Sequence, residues 1–424
     1  MSILEFFEPT IFTIKLLVRF WWLWLAPTLF VVFRALWVSW RQQLYKAAIE
    51  WTLLELKIPR DIAKSPVAMD QFFIALSSVR NSPGDFEEIY LNGEVTLWFS
   101  LEVASFGGDI HFYIRTPKKH RRAVEANLYA NYPMLEIEQV SEYLDRFPNS
   151  ISDMYARNLD LWGTEFVLGK PDAYPIRTYL KFESMDEERS LDPIAALLEV
   201  FQKIDRKENY LLQILIQPAD PVAWRAEGLK LVDKLKTREE KVIQGPLGEY
   251  TDRPMRTPGE TEVLKAIELN LAKPGYNTLI RFVYIADKSV ADGQSAKREM
   301  TTAINQYVAG DMNYFEHNRS VWTQAKYNVF PYFAPKLRAE ARKVRMWEYF
   351  RERKLPEESV MGKYILARPW NFNIKQRVYV LNTEELATLY HPPTMLVMTG
   401  PLIRRIEAKK MGPSVGLEMF EDQK

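Results

Sequence analysis

Cysteine is absent from the 424 residues and histidine occurs only four times. Without cysteine there are no disulfides, no thiol nucleophile and no cysteine-based zinc or iron–sulfur site, and the chain fits a reducing compartment. His111, His120, His317 and His391 show no H-E-x-x-H or other close ligand spacing, so they read as ordinary satisfied side chains and not as a metal site. Excess charge of either sign is missing as well. Lys and Arg number 56 against 55 Asp and Glu, which leaves a formal charge of +1 and excludes wholesale coating of a polyanion. What is present is foldable: 47% hydrophobic residues, 26% charged residues and 25 scattered prolines exclude a disordered or low-complexity chain. At roughly 100–200 residues per domain the length allows two or three domains.

Catalytic motifs are also wanting. A P-loop needs G-x-x-x-x-G-K-[ST], because backbone N–H groups must cradle phosphate while lysine and a hydroxyl complete the site. Gly163 to Gly169-Lys170-Pro171 has one residue too many between its glycines and proline where the hydroxyl belongs; Gly362-Lys363 is followed by Tyr364 and has Glu357 in place of the first glycine. Gly293-Gln294-Ser295-Ala296-Lys297 starts like a nucleophile elbow and fails at its fifth position, where glycine is required. The expectation is a non-enzyme with no catalytic residue, no cofactor and no metal.

One long hydrophobic run does occur. From Ile11 to Trp40 only Lys15, Arg19 and Arg34 interrupt an apolar, tryptophan-rich tract. It lacks the short apolar region and small-residue exit of a signal peptide. Leu16 to Val38 suffices for one transmembrane helix, with Arg19 and Arg34 snorkelling and Trp21, Trp22, Trp24 and Trp37 anchoring it in the lipid bilayer. An in-plane amphipathic helix and a buried core helix are the rival readings. Glu5 and Glu8 before the tract, against Arg34, Arg41 and Lys46 at its end, favour a single-pass protein with a cytoplasmic body, although Lys15 and Arg19 weaken that orientation.

The body reads as α+β. After a linking helix over 41–56, alternation in Thr96 to Val103, the turn Phe106-Gly107-Gly108-Asp109, renewed alternation at Ile110, Phe112 and Ile114, a helix over 118–132 and a strand with Leu135 and Ile137 give β-β-α-β. A second block has strands near 165–168 and 179–182, and a helix opened by Asp192-Pro193. A strand over 211–216, a helix over 222–236, an exposed polar loop over 238–258, a helix after Pro258, a strand over 278–285 and a helix over 295–307 follow. The expected architecture is an N-terminal transmembrane helix (1–40) and two ferredoxin-like α/β sandwich subdomains with antiparallel sheets (41–150, including the linking helix, and 151–335). A C-terminal helical extension and tail (336–424) close the chain.

Two basic stretches and one C-terminal helix are candidate contacts. Lys118, Lys119, Arg121 and Arg122 crowd a helix N-terminus, where the macrodipole disfavours them, so anionic lipid, DNA or an acidic partner could compensate; a solvated cluster balanced by Glu125 is the plainer alternative. Lys336 to Lys354 interleaves basic residues with Trp347, Tyr349 and Phe350, which suits either a polyanion or packing on the body, with packing favoured. Glu384 to Tyr390 reads as a short helix presenting Leu386, Leu389 and Tyr390 either to a partner or to the sandwich it closes.

A distributed set of segments carries a resemblance. Glu55-Leu-Lys-Ile-Pro59-Arg60, Lys64 to Gln71, Asp109 to Arg115, Val124 to Pro133, Asp160 to Leu168, Pro171 to Arg177 and Leu381 to Pro392 together resemble the N-terminal non-motor region of type IV secretion and conjugation ATPase-like proteins, in a membrane-anchored group without the P-loop motor. The resemblance implies a scaffold subunit in a bacterial inner membrane, part of a type IV secretion-like DNA- or protein-transfer machine, homo- or hetero-oligomeric, that docks a separately encoded P-loop ATPase. The alternative is a membrane-tethered nucleic-acid-binding module with weak nucleic-acid affinity.

Overall fold

A computed structural model describes residues 19–59, 65–182, 191–237, 241–245, 248–252, 256–327, 332–356, 376–394 and 405–406. In chain order the elements are α1 (Trp21–Ala48), β1 (Trp51–Pro59), α2 (Val67–Ser77), β2 (Phe99–Phe106), β3 (Asp109–Pro117), α3 (Arg121–Asn131) and β4 (Glu136–Val140). Next come α4 (Ile151–Ala156), β5 (Leu159–Leu168), α5 (Ala195–Gln202), β6 (Glu208–Pro218), α6 (Pro221–Lys236), β7 (Lys241–Gly245), β8 (Gly248–Asp252) and α7 (Pro258–Leu271). The remainder is β9 (Gly275–Asp287), α8 (Gly293–Asn305), β10 (Phe315–His317), α9 (Pro335–Glu352), β11 (Tyr379–Asn382), α10 (Thr383–Leu389) and β12 (Arg405–Ile406). The protein is α+β, with an apolar N-terminal helix and one large sheet.

Ten strands form that sheet, in the order β10-β5-β9-β6-β2-β3-β1-β12, with β11 on β9 and β4 on β1. All its ladders are antiparallel except β1 with β12. The strand order β4-β1-β3-β2 recurs as β10-β5-β9-β6, and each quartet is built β-α-β-β-α-β; the second carries α6, the β7–β8 hairpin and α7 between its middle strands. The quartets meet edge to edge where β2 pairs β6 from Phe99 opposite Ile216 to Phe106 opposite Asn209.

Period-two alternation makes the two faces. Phe99, Leu101 and Val103 of β2 join Tyr210, Leu212 and Ile214 of β6 and Ile280, Phe282 and Tyr284 of β9 in the main core, closed by α2, α3, α5, α8 and α10. The opposite face carries Leu211, Val283 and Ile285 and is covered by Ile151 and Met154 of α4 and Met346, Trp347 and Phe350 of α9. Trp347 is fully buried and its indole N–H donates to Pro148 O at 2.9 Å.

Several sequence expectations change. The linking helix over 41–56 is wrong in its second half: α1 continues to Ala48, but Trp51–Pro59 is a strand between β3 and β4, with buried Leu54, Leu56 and Ile58 alternating with half-buried Glu55 and Lys57. Tyr179–Lys181 is a single 3-10 turn and not a strand. The polar segment after Arg238 contains the β7–β8 hairpin. Among the described residues the C-terminal extension is helical in α9 and α10 but is no separate unit, because β11 and α10 return to the sheet and the main core.

Candidate functional site: the exposed apolar helix and the buried polar row

α1 is long and apolar enough to cross a membrane, and nothing of its apolar window is buried. Trp21, Trp22, Leu29, Phe30, Val31 and Phe33 are exposed, as are Arg19 and Arg34. Trp24 and Pro27 lie within the helix. At about 1.5 Å per residue the 28 residues measure about 42 Å. The apolar tract upstream of Arg19, with Glu5, Glu8 and Lys15, lies outside the described residues. The C-terminal part of α1 is fastened to the body: the Trp37 indole N–H donates to Tyr90 O at 2.7 Å and the Arg41 guanidinium donates to Leu91 O. Trp37 stacks toward Phe33 at 6.2 Å and Trp40 at 5.3 Å. An exposed apolar surface of this length marks a contact with a membrane or with another protein.

The structure puts the first basic stretch beside the inner end of that helix. Lys118 N–H donates to Glu50 O at 2.9 Å, two residues past Ala48, and its ammonium meets the Glu50 carboxylate at 2.8 Å. Arg121 is engaged by Glu125 at 2.7 Å and by Gln139, whereas Lys119 and Arg122 are exposed. The second stretch is largely internal. Arg338, Arg342, Arg345 and Arg353 are buried; Arg338 donates to Lys326 O, Arg342 to Gln324 O, and Arg345 to the Tyr349 hydroxyl. Trp347 and Phe350 pack on the sheet, as the favoured packing reading of Lys336 to Lys354 expects.

The proposed partner face is also corrected. Leu386, Leu389 and Tyr390 are buried in the main core, and the Tyr390 hydroxyl donates to Tyr113 O at 3.0 Å. The helix closes the body because its capping box, Asn382 with Glu385, also serves the interior: a Glu385 oxygen accepts Ile176 N–H at 2.9 Å. Burial, first of all, pushes the Glu385 carboxyl up to about 8 despite those N–H donors.

Beneath α9 lies a feature not read from the sequence. One cross-strand row runs Glu55, Tyr113, Glu102, Gln213, Arg281, Glu165 across β1, β3, β2, β6, β9 and β5. Glu102 receives Arg353 Nε at 2.8 Å and Nη2 at 3.0 Å, the Tyr143 hydroxyl at 2.7 Å and the Ser100 hydroxyl. Burial would raise its pKa, but the Arg353 charge and hydrogen bonds, helped by Ser100 and Tyr143, hold it down at about 2. Arg281 donates to Glu165 at 2.8 Å, and Gln376 donates to the same oxygen. These pairs are buried, and Glu165 Oε2 and Arg281 Nη2 are left without a hydrogen-bond partner. The signal was present: Glu102, Gln213, Arg281 and Glu165 each interrupt an apolar strand, although their partners are remote in the chain.

The histidines and near-miss motifs are structural. His391 bridges Ala387 O at 2.7 Å and Asp192 at 2.9 Å, and Asp192 also accepts Thr394 N–H and hydroxyl; burial is outweighed by His391 and these donors, leaving Asp192 at about 2. Burial, then Lys297 and Arg319, lowers His317 to about 4. Among the described residues no group of three or more His, Asp or Glu is placed to hold a metal ion. Gly163 sits inside β5 with its N–H on Thr323, and the Lys170 ammonium donates to Asp311 O at 2.6 Å, so this pair is no phosphate cradle. Ser295 is in the first turn of α8 with its hydroxyl on Glu299 at 3.0 Å. Gly362-Lys363 lies outside the described residues. A groove of about 740 Å³ between α8 and α9, lined by Asp160, Trp162, Asp292, Lys336 and Lys343, has mixed charge; Lys343 is held by Asp160 at 2.6 Å and Asp292 caps α8.

Residues 35–399 match the family model described as a domain of unknown function, DUF8128. The chain belongs to the DUF8128 family. No curated protein matches it. The DUF8128 match starts within α1, three residues before Val38, so it takes in the fastened end of the helix, every strand of the sheet except β12, and α10, while the most exposed part of the apolar helix precedes it.

Proposed function

We propose that this DUF8128 protein is a single-pass membrane protein whose folded body is a non-catalytic scaffold. The observation that carries the proposal is the pairing of an exposed apolar helix with a body fastened to it through Trp37 and Arg41. Tryptophans at Trp21, Trp22 and Trp37 suit the two interfaces, and Arg34 is long enough to snorkel. The repeated β-α-β-β-α-β quartets support the ferredoxin-like reading of the body. Lys46 in the last turn of α1, with exposed Lys119 and Arg122 beside that end, supports a cytoplasmic body against an anionic leaflet. The buried charges Glu102 with Arg353 and Glu165 with Arg281 are paired with each other, which supports a structural role for them.

The resemblance noted above extends this to a bacterial inner-membrane scaffold of a type IV secretion-like transfer machine that docks a separately encoded P-loop ATPase. With Leu386, Leu389 and Tyr390 in the core, the ATPase contact has to lie elsewhere. Purifying the tagged full chain from its own membranes in mild detergent, with a tagged unrelated single-pass protein as control, tests this. Stoichiometric recovery of a P-loop ATPase with the full chain alone is expected; its absence contradicts the docking role.

A further inference from the structure

Between α2 and β2 the chain forms a short π-helical turn, Glu87–Asn92, that has no place in either core. Its apolar side chains point outward: Phe86 is 71% exposed and Leu91 51% exposed, and Phe86 stacks on Tyr90 at 4.7 Å. Yet the turn is not loosely placed. Its carbonyls at Tyr90 and Leu91 accept the Trp37 and Arg41 side chains of α1. It ends at Gly93, where φ is +67° and a Cβ would come within 2.4 Å of the Arg41 carbonyl carbon, so glycine is what lets the turn press against the helix.

We infer that this turn is a second membrane contact, a foot resting in the bilayer interface beside α1, with the lipid surface as its ligand. The inference rests on the reading that α1 spans the bilayer. From Phe20 to Trp37 the helix covers about 26 Å, so its first hold on the body falls where a hydrocarbon layer of about 30 Å gives way to headgroups. Any lipid packed around α1 at that level meets Phe86, Tyr90 and Leu91, because the same helix residues that face the interface carry the turn. Phe33, Leu36 and Trp40 of α1 are exposed and continue the apolar surface. Asp85, Glu87 and Glu88 share the segment, and Glu88 is occupied by the N–H groups of Gly84 at 2.7 Å and Asp85 at 3.3 Å. The foot therefore offers no cation to anionic lipid, and its contact is apolar insertion that the exposed Asp85 and Glu87 weaken on an anionic leaflet, which is why the test uses phosphatidylcholine.

The absence of cysteine makes the test direct. Full-length Phe86→Cys, Leu91→Cys, Phe30→Cys and Met134→Cys chains, each labelled with an environment-sensitive fluorophore, are reconstituted in phosphatidylcholine vesicles containing lipids with a shallow or a deep nitroxide. Met134 is exposed and precedes Glu136, which pairs with Lys57 toward the end of β1 remote from α1. The expected result is quenching of the labels at 86 and 91 by the shallow nitroxide about threefold stronger than at 134, with the label at 30 quenched by the deep one. If 30 is quenched but 86 and 91 behave like 134, the foot is wrong and the anchor stands. If 30 is not quenched, the spanning reading fails and the foot falls with it. Labels at 86 and 91 that are shielded from an aqueous quencher yet untouched by either nitroxide place a second copy of the chain on the turn and overturn the lipid assignment.

Discussion

α1 and the α9 face of the sheet are inversions of each other. The helix displays Trp21, Leu29 and Phe30 to its surroundings, while the face under α9 hides Glu102, Arg281, Glu165 and Arg353 from water. In a water-soluble body each arrangement would be costly, and the difference lies in what compensates. The buried charges find opposite charges within 3 Å, so their compensation is internal. None of the apolar window is buried in the body, and on the spanning-helix proposal its compensation comes from lipid. Charge inside is thus a property of the fold, while the apolar surface outside is what the membrane proposal rests on.

The sharpest way to break the internal half is to orphan one charge. Arg353→Met leaves Glu102 buried without its cation and is expected to cost about 3–5 kcal/mol, read as a drop in the urea midpoint of the full chain in detergent; Glu102→Leu with Arg353→Met should recover most of it. If the single variant is as stable as the parent, the pair is not what organises that face.

The external half is challenged by charge where none is expected. Lysine in place of Phe30 costs about 2.5–3.5 kcal/mol of insertion free energy at a helix centre, so the membrane-integrated fraction should fall sharply in a glycosylation-tag insertion assay. Unchanged insertion would favour the in-plane helix.

Acid distinguishes the halves more gently. Glu102, at about 2 in the folded chain, has an ordinary value of 4.5, and Asp192, at about 2, an ordinary value of 3.8. Folded values below unfolded ones contribute stability that is present above about 4.5 and is lost as pH falls toward 2. The urea midpoint of the body should drop across that window while α1 stays in the bilayer. In Arg353→Met the Glu102 contribution changes sign, because a lone buried carboxyl prefers its proton, and acidification then relieves part of the defect.

The smallest effect belongs to the exposed cluster. Lys118→Glu with Arg122→Glu should leave the urea midpoint almost unchanged, since exposed ion pairs contribute little. The body should bind duplex DNA no tighter than about 10⁻⁶ M at physiological salt. Tighter binding that this double variant abolishes would make the nucleic-acid module the better account.

The sequence was legible where one physical preference dominates. The apolar run announced α1, and the Gly107-Gly108 turn announced the β2–β3 hairpin. It was silent where the deciding neighbour is remote. Leu54, Leu56 and Ile58 of β1 alternate with Glu55 and Lys57, a strand signal that the apolar run continuing from α1 obscures, and the Glu102–Arg353 pair spans 251 positions. The Leu386 and Tyr390 face shows a symmetric ambiguity: an apolar helical stripe needs a cover, and only the fold says that α2 and the sheet supply it.

The measurement that bears most directly on the account is extraction of the full chain from membranes with alkaline carbonate, beside a chain starting at Arg41. The full chain should stay in the membrane pellet and the shortened chain should leave it. A full chain released into the supernatant would contradict a spanning α1, and with it the view that the exposed apolar helix marks where this protein resides.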